Sequence, residues 1–179
     1  MSGHVAFTVR KAVAADAPAL TVLILQVWLD TYAVHGIRPA IAAYVLDELT
    51  LARTSAYLAQ AQTHTHILLA EADQHLVGYC QTTSGKPGPQ STIADAEQAE
   101  VDHLYVHPRF FGHGIGQRLL ADAELALQAQ GIKQAWLSVW VGNARALQFY
   151  PRAAYQETAV SIFQMGEEKI ENRIFSKML

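Results

Sequence analysis

The stretch VHPRFFGHGIGQRLL, residues 106–120, limits the fold more than any other part of the chain. Gly112, Gly114 and Gly116 stand at alternate positions between a β-branched run and the pair Leu119–Leu120. Glycine takes φ > 0 with no Cβ penalty but loses more chain entropy on ordering than any other residue, so three in one short segment call for a use. A strand that runs through a glycine loop into a helix collects unpaired N–H groups and the positive end of the helix dipole in one place. Such a unit suits an anion such as a phosphate. A plain tight turn between strand and helix is the alternative.

The flanking elements fit that unit. Ala99 to Val106 reads as a strand ended by Pro108, and Gln117 to Gln130 as a helix with Leu119, Ala123 and Leu127 on one stripe and Gly131 as its C-cap. Upstream, Thr8 to Ala12 is a first strand. Asp16 then reads as an N-cap with Pro18 in the first turn, and Leu20, Leu23, Ile24, Val27 and Trp28 follow at helical spacing. A second helix enters through Pro39, and a third is expected over residues 53–62. His66 to Ala72 and Leu76 to Thr83 form a hairpin about Asp73-Gln74, followed by a Pro- and Gly-containing loop through Gln98. Ala135 to Val141 is a strand. Asn143 opens a short helix that Pro151 should stop near Tyr150, and a hairpin about MGEE closes the chain. The expectation is one mixed α/β domain, its helices packed on a sheet that is antiparallel at its ends.

Two well-known phosphate loops do not fit. The dinucleotide fingerprint G-x-G-x-x-G needs glycine where Gln117 stands, and an acidic residue about twenty positions on, where the surroundings of Trp136 are apolar. The Walker loop needs Lys and Ser/Thr after its last glycine, and neither follows.

A second motif, LSVWVGNARALQFYPRAAY, places an asparagine at a helix start after a strand, then Phe149-Tyr150, then an aromatic at Tyr155. With V-x-P, G-x-G-I-G and the Leu pair before it, residues 99–155 resemble the GCN5-related N-acetyltransferase superfamily. The resemblance implies a mixed, mostly antiparallel sheet of six to seven strands, splayed between its two central strands, with acetyl-CoA as cosubstrate. Trp140, Asn143, Tyr150 and Met165-Gly166-Glu167-Glu168, with WLDTYA in the first helix, are most similar to the PaiA-type spermidine/spermine N-acetyltransferases. It implies that Leu104, Tyr105 and Val106 lie along acetyl-CoA, that the backbone of Phe111, Gly112, His113, Gly114, Ile115, Gly116 and Gln117 takes the diphosphate, and that Asn143 and Tyr150 meet the pantetheine end. Phe111 holds a position usually given to Gln or Arg, though its N–H could still serve a phosphate. Ala154 replaces the usual glycine before the aromatic, and Pro151 directly follows Tyr150.

Acetyl transfer to an amine needs a neutral nitrogen, and at pH 7 only about one alkylamine in a thousand is neutral. Glu100 is the expected base, directly or through a water; it precedes Phe111 by the offset that the histone-acetyltransferase branch uses for its glutamate. His103 is an alternative. Tyr150 is the expected proton donor to the leaving thiolate, since a phenol's pKa of about 10 is near that of a thiol. Asp102 shares a strand face with Glu100. Asp95, Glu97, Glu100 and Asp102 form an acidic run with no basic residue inside it, which would attract a polycation or simply be solvated. Trp28, Tyr32 and Trp140 line the acceptor pocket or belong to the core.

Composition narrows the classes. The chain has 179 residues, 51% hydrophobic and 16% charged, the profile of a folded globular domain. A net charge of −3 does not suggest a nucleic-acid binder. One cysteine, Cys80, excludes an intrachain disulfide. No apolar run behind a basic patch marks a signal peptide, and none is long enough to span a bilayer, so a cytoplasmic, membrane-free location is expected. The eight histidines show no metal-ligand spacing, and no metal is expected. With no cysteine in either motif, a ternary complex is expected rather than an acetyl-enzyme. A polyamine such as spermidine is the favoured acceptor. A protein N-terminus, an amino acid or an antibiotic amine stays open, as does a non-catalytic acyl-CoA sensor. Dimers are common in the resembled superfamily, so a homodimer is one expectation.

Overall fold

A two-residue turn shows how local chemistry sets the pairing. Asp73 (φ 48°) and Gln74 (φ 66°) both adopt positive φ, the type I′ geometry whose twist matches that of the strands it joins. It links β2 (Thr65–Ala72) to β3 (His75–Ser84). The computed structural model describes residues 5–60, 64–165 and 167–179. Gly166 of the MGEE turn, the expected last residues of the third helix, 61 and 62, and the first four residues lie outside them.

Chain order runs β1 (Thr8–Lys11), α1 (Ala17–Tyr32), α2 (Pro39–Glu48), α3 (Leu51–Gln60), β2, β3, β4 (Gln98–Val106), α4 (Ile115–Gln128), β5 (Gln134–Trp140), α5 (Ala144–Arg152), β6 (Gln156–Met165) and β7 (Glu168–Met178). The seven strands form one sheet in the order β1-β2-β3-β4-β5-β7-β6, flanked by helices. Pairing is antiparallel for β1 with β2, β5 with β7 and β6 with β7, and parallel for β4 with β5. The parallel ladder covers only Gln98–Glu100 against Gln134–Trp136. So short a ladder fits the splay between central strands that the resemblance implies.

Contacts divide the chain into two compact units, residues up to Gln81 with His103–Ala123, and Thr82–Asp102 with Glu124–Leu179. The first has a core of Ala17, Leu20, Leu23 and Val27 on α1, Leu58 on α3, Ile67 and Leu69 on β2, and Tyr79 on β3. Within it Gly78 permits a close approach: a Cβ there would sit 3.0 Å from the Tyr105 carbonyl oxygen and 3.3 Å from Ile115 and Leu119. The second unit buries Ala135, Trp136, Leu137 and Val139 of β5 almost without alternation, as an interior strand covered on both faces should.

Two local expectations change. Asp16 does not cap α1 with its side chain; its carboxylate reaches back to the Val13 N–H (2.7 Å) and is gripped by Arg10 (2.7 and 2.8 Å), which also binds Glu71. That arginine holds the Asp16 pKa below its usual value. Pro151 does not stop α5 at Tyr150. The helix continues to Arg152 with Pro151 inside its last turn, and the end is closed by Ala154. Ala154 adopts φ 67°, its N–H donates to the Pro151 carbonyl (3.1 Å), and the Tyr155 N–H donates to the Tyr150 carbonyl (3.0 Å). That is the Schellman arrangement. Gly131 (φ 82°) closes α4 in the same way, with Gly131 N–H to Gln128 and Ile132 N–H to Leu127.

Candidate active site

The loop between β4 and α4 is built as the glycines require. His107 anchors its start: its N–H donates to the Val77 carbonyl (2.8 Å), and its Nδ1 accepts from the Arg109 N–H (3.2 Å). Pro108–Phe110 make one 3₁₀ turn. Gly112 (φ 82°) and Gly114 (φ 80°) then take left-handed conformations, and a Cβ at either would meet nothing within 4 Å. The requirement there is backbone conformation, not space. The Arg118 N–H is the first to close a helical bond, to the Gly114 carbonyl (3.0 Å). The amides of Ile115, Gly116 and Gln117 precede it, at the positive end of the α4 dipole. The Phe111 N–H is different. It donates to the Pro108 carbonyl (3.2 Å), closing the 3₁₀ turn. Leu104, Tyr105 and Val106 are half-buried on β4, and Tyr105 packs edge-on to Tyr79 and His103.

On α1, Trp28 is buried and Tyr32 half-buried. Trp28 stacks on Tyr44 of α2 (centroids 5.0 Å) and leans on Tyr32 (4.8 Å). Burial, then neighbouring Tyr44, pushes the Tyr32 hydroxyl up to about 12, so it does not ionise near neutral pH. These three rings form one cluster, and Tyr44 has no distinguishing mark in the sequence.

In the second unit, Glu100 and Asp102 share one face of β4, as their spacing demands. Their side chains are only 16% and 12% exposed. Lys86, from the loop after β3, bridges them: its Nζ pairs with Glu100 Oε2 and with Asp102 Oδ1 (3.0 Å). Thr83 donates to Asp102 Oδ2 (2.7 Å). Burial raises the Glu100 pKa and Asp102 raises it further, against the lowering pull of Lys86. Glu97 is paired with Lys133 (2.5 Å). The acidic run is thus partly neutralised by lysines distant in sequence.

Asn143 caps α5, its Oδ1 accepting from the Ala146 N–H (3.1 Å). Tyr150 lies about two turns on, buried, with its ring edge-on to Phe149 (5.2 Å) and Tyr155 (5.7 Å). Trp140 is half-buried at the end of β5, with its ring over the Gly142 α-carbon, where no side chain would fit.

Comparison with known proteins decides what this framework is. The sequence model described as Acetyltransferase (GNAT) family matches residues 29–155, more than half of the chain. The chain belongs to the GNAT acetyltransferase family. Within that family, the chain is 26% identical over 168 residues to the Spermidine N(1)-acetyltransferase of Thermoplasma acidophilum, covering 92% of this chain and 98% of that one. It is 36% identical over 70 residues to the N-acetyltransferase MJ1207 of Methanocaldococcus jannaschii, 39% of this chain and 31% of that one. The crystal structure of the PaiA N-acetyltransferase from Thermoplasma acidophilum in complex with coenzyme A superposes with a TM-score of 0.79 at 22% identity, over 97% and 99% of the two chains. The GNAT fold and the PaiA-like pattern are therefore as the motifs imply. No described helix is long and apolar enough to cross a membrane.

Proposed function

We propose that this GNAT protein is a single-domain, acetyl-CoA-dependent N-acetyltransferase that acylates a primary amine by direct attack in a ternary complex, and that a polyamine such as spermidine is its preferred acceptor. The observation that carries the reading is the conformation of Gly112–Gln117, with two left-handed glycines leading into the N-terminus of α4. These residues fit a diphosphate held by the main chain. Leu104–Val106 and Asn143 would run along the pantetheine arm, and acetyl-CoA supplies an activated acyl group as a thioester.

Glu100 takes the proton the acceptor nitrogen must lose, and its burial supports the role by strengthening it as a base. Tyr150 returns a proton to the sulfur as the C–S bond gives way to the N–C bond. Trp28, Tyr32, Trp140 and Asp102 belong to the acceptor side of this reading. The polyamine preference draws on the likeness to the Thermoplasma spermidine enzyme along nearly the whole length of both chains. A cytoplasmic location belongs to the same reading, with the chain's lone cysteine, Cys80, buried.

Free-thiol release from acetyl-CoA, measured over polyamines, amino acids, aminoglycosides and peptide N-termini, tests this. Spermidine should give the largest kcat/KM, and Glu100→Gln and Tyr150→Phe should each lower it by about 100-fold. Wild-type rates in both variants would remove the residue assignments. Binding of coenzyme A with no amine turned over would favour an acyl-CoA sensor.

A further inference from the structure

The loop that carries Lys86 is far more firmly tied than its composition suggests. Gly85 N–H donates to the Gln98 carbonyl (2.8 Å), Trp136 Nε1–H to the Lys86 carbonyl (2.8 Å), and Gly88 N–H to Gln98 Oε1 (2.9 Å). Gln98, fully buried, also donates from Nε2 to the Ile93 carbonyl (2.6 Å). A Cβ on Gly88 would come within 3.1 Å of the Trp136 ring, so the loop lies directly on β5. The backbone on both sides of Lys86 is thereby fixed, and its ammonium is presented to Glu100 and Asp102 together.

Both carboxylates are largely covered, whereas the Lys86 side chain is 49% exposed.

We propose that Lys86 is a specificity-determining residue: an internal counter-ion on Glu100 and Asp102 that a cationic acceptor has to displace. This rests on the reading that Glu100 faces the acceptor amine. With Lys86 in place the three groups sum to one negative charge; without it they sum to two. A tethered ammonium competes at an effective concentration in the millimolar range or above, so it weakens every cationic acceptor. A lone ammonium only replaces Lys86 charge for charge. A polyamine brings further charges and gains by the exchange, and an uncharged amine has no ion pair to exchange.

The test compares wild type, Lys86→Met and Lys86→Arg. KM is measured for spermidine and for an arylamine that is uncharged at pH 7, and spermidine Kd is measured by calorimetry with coenzyme A bound. In Lys86→Met the KM and Kd for spermidine should fall about fivefold or more while the arylamine KM stays near wild type, and Lys86→Arg should keep wild-type values. Coenzyme A affinity serves as the control for folding. Spermidine constants within about twofold of wild type in Lys86→Met overturn the proposal. Tighter spermidine binding in Lys86→Met with no turnover in either protein supports the counter-ion role and counts against the catalytic reading, so the two fail separately.

Discussion

At the scale of the residue, Glu100 is where environment matters most. Burial makes its charged form costly, Asp102 adds repulsion, and Lys86 relieves part of both. The net shift is upward, so Glu100 holds its proton to a higher pH than an ordinary glutamate does. If it is the base, kcat/KM falls as the pH drops through that raised value. Lys86→Met removes the one neighbour that holds it down, so the acid limb of the pH profile should move to higher pH. Glu100→Gln should abolish the limb. An acid limb unmoved by Lys86→Met would show that it reports another group. The linkage to stability has the same origin. The folded chain holds this proton more tightly than the unfolded chain, so the contribution is full below the unfolded value and lost as pH rises through the folded one. Ionised Glu100 therefore costs the fold something at pH 7, as a functional group often does. Glu100 is singled out by the resemblance, through its offset to the glycine loop, but its ion-pair partner is not: Lys86 sits in a Pro- and Gly-containing loop with no mark of its own.

At the scale of the element, two left-handed positions close helices in the same motif with different residues. Gly131 ends α4 without a Cβ penalty, whereas Ala154 ends α5 at φ 67° and bears one. Ala154→Gly should therefore stabilise the chain by about 1 kcal/mol, read as a rise in Tm of about 2–4 °C. The rigid Schellman end also fixes Tyr150, whose carbonyl accepts from the Tyr155 N–H. The glycine loop offers the opposite change. Gly114→Ala puts a Cβ into open space but onto a φ of 80°, so it should cost about 1 kcal/mol of stability through the backbone alone. Because the same torsion aims the first amides of α4, calorimetry should show weaker coenzyme A binding in a still-folded protein. Affinity equal to wild type would mean that the loop does not grip the diphosphate. Element types and most bounds are readable from periodicity, as in the stripe of Leu119, Ala123 and Leu127, all buried. The differences are at termini: Asp16 is claimed by Arg10 rather than by its helix, and α5 runs on past Tyr150 to Arg152 with Pro151 inside it.

At the scale of the whole molecule, a ligand that binds only the folded chain stabilises it by mass action. Coenzyme A at about 100 times its Kd should add about 2.7 kcal/mol, or about 5–10 °C in Tm for a chain of this length. ATP and NAD at equal concentration should give no comparable shift, and a larger shift with either would point to a nucleotide-binding domain instead. The sequence by itself determined the family, the strand–glycine-loop–helix unit, the seven-strand count within the expected range and the facing of Glu100 with Asp102. The family and the strand count follow from the resemblance of residues 99–155 to the superfamily's motifs, whereas the loop unit and the facing of Glu100 with Asp102 follow from local torsion preferences and the two-residue and 3.6-residue periods, which short stretches of chain carry intact. Only the tertiary structure decided what neutralises the acidic run, what Gln98 and Trp136 hold in place, and why Gly78 has no side chain. Those depend on contacts between residues such as Lys86 and Glu100, or Lys133 and Glu97, brought together by folding. Charge and packing partners are set by distance in space, and no period along the chain encodes that distance.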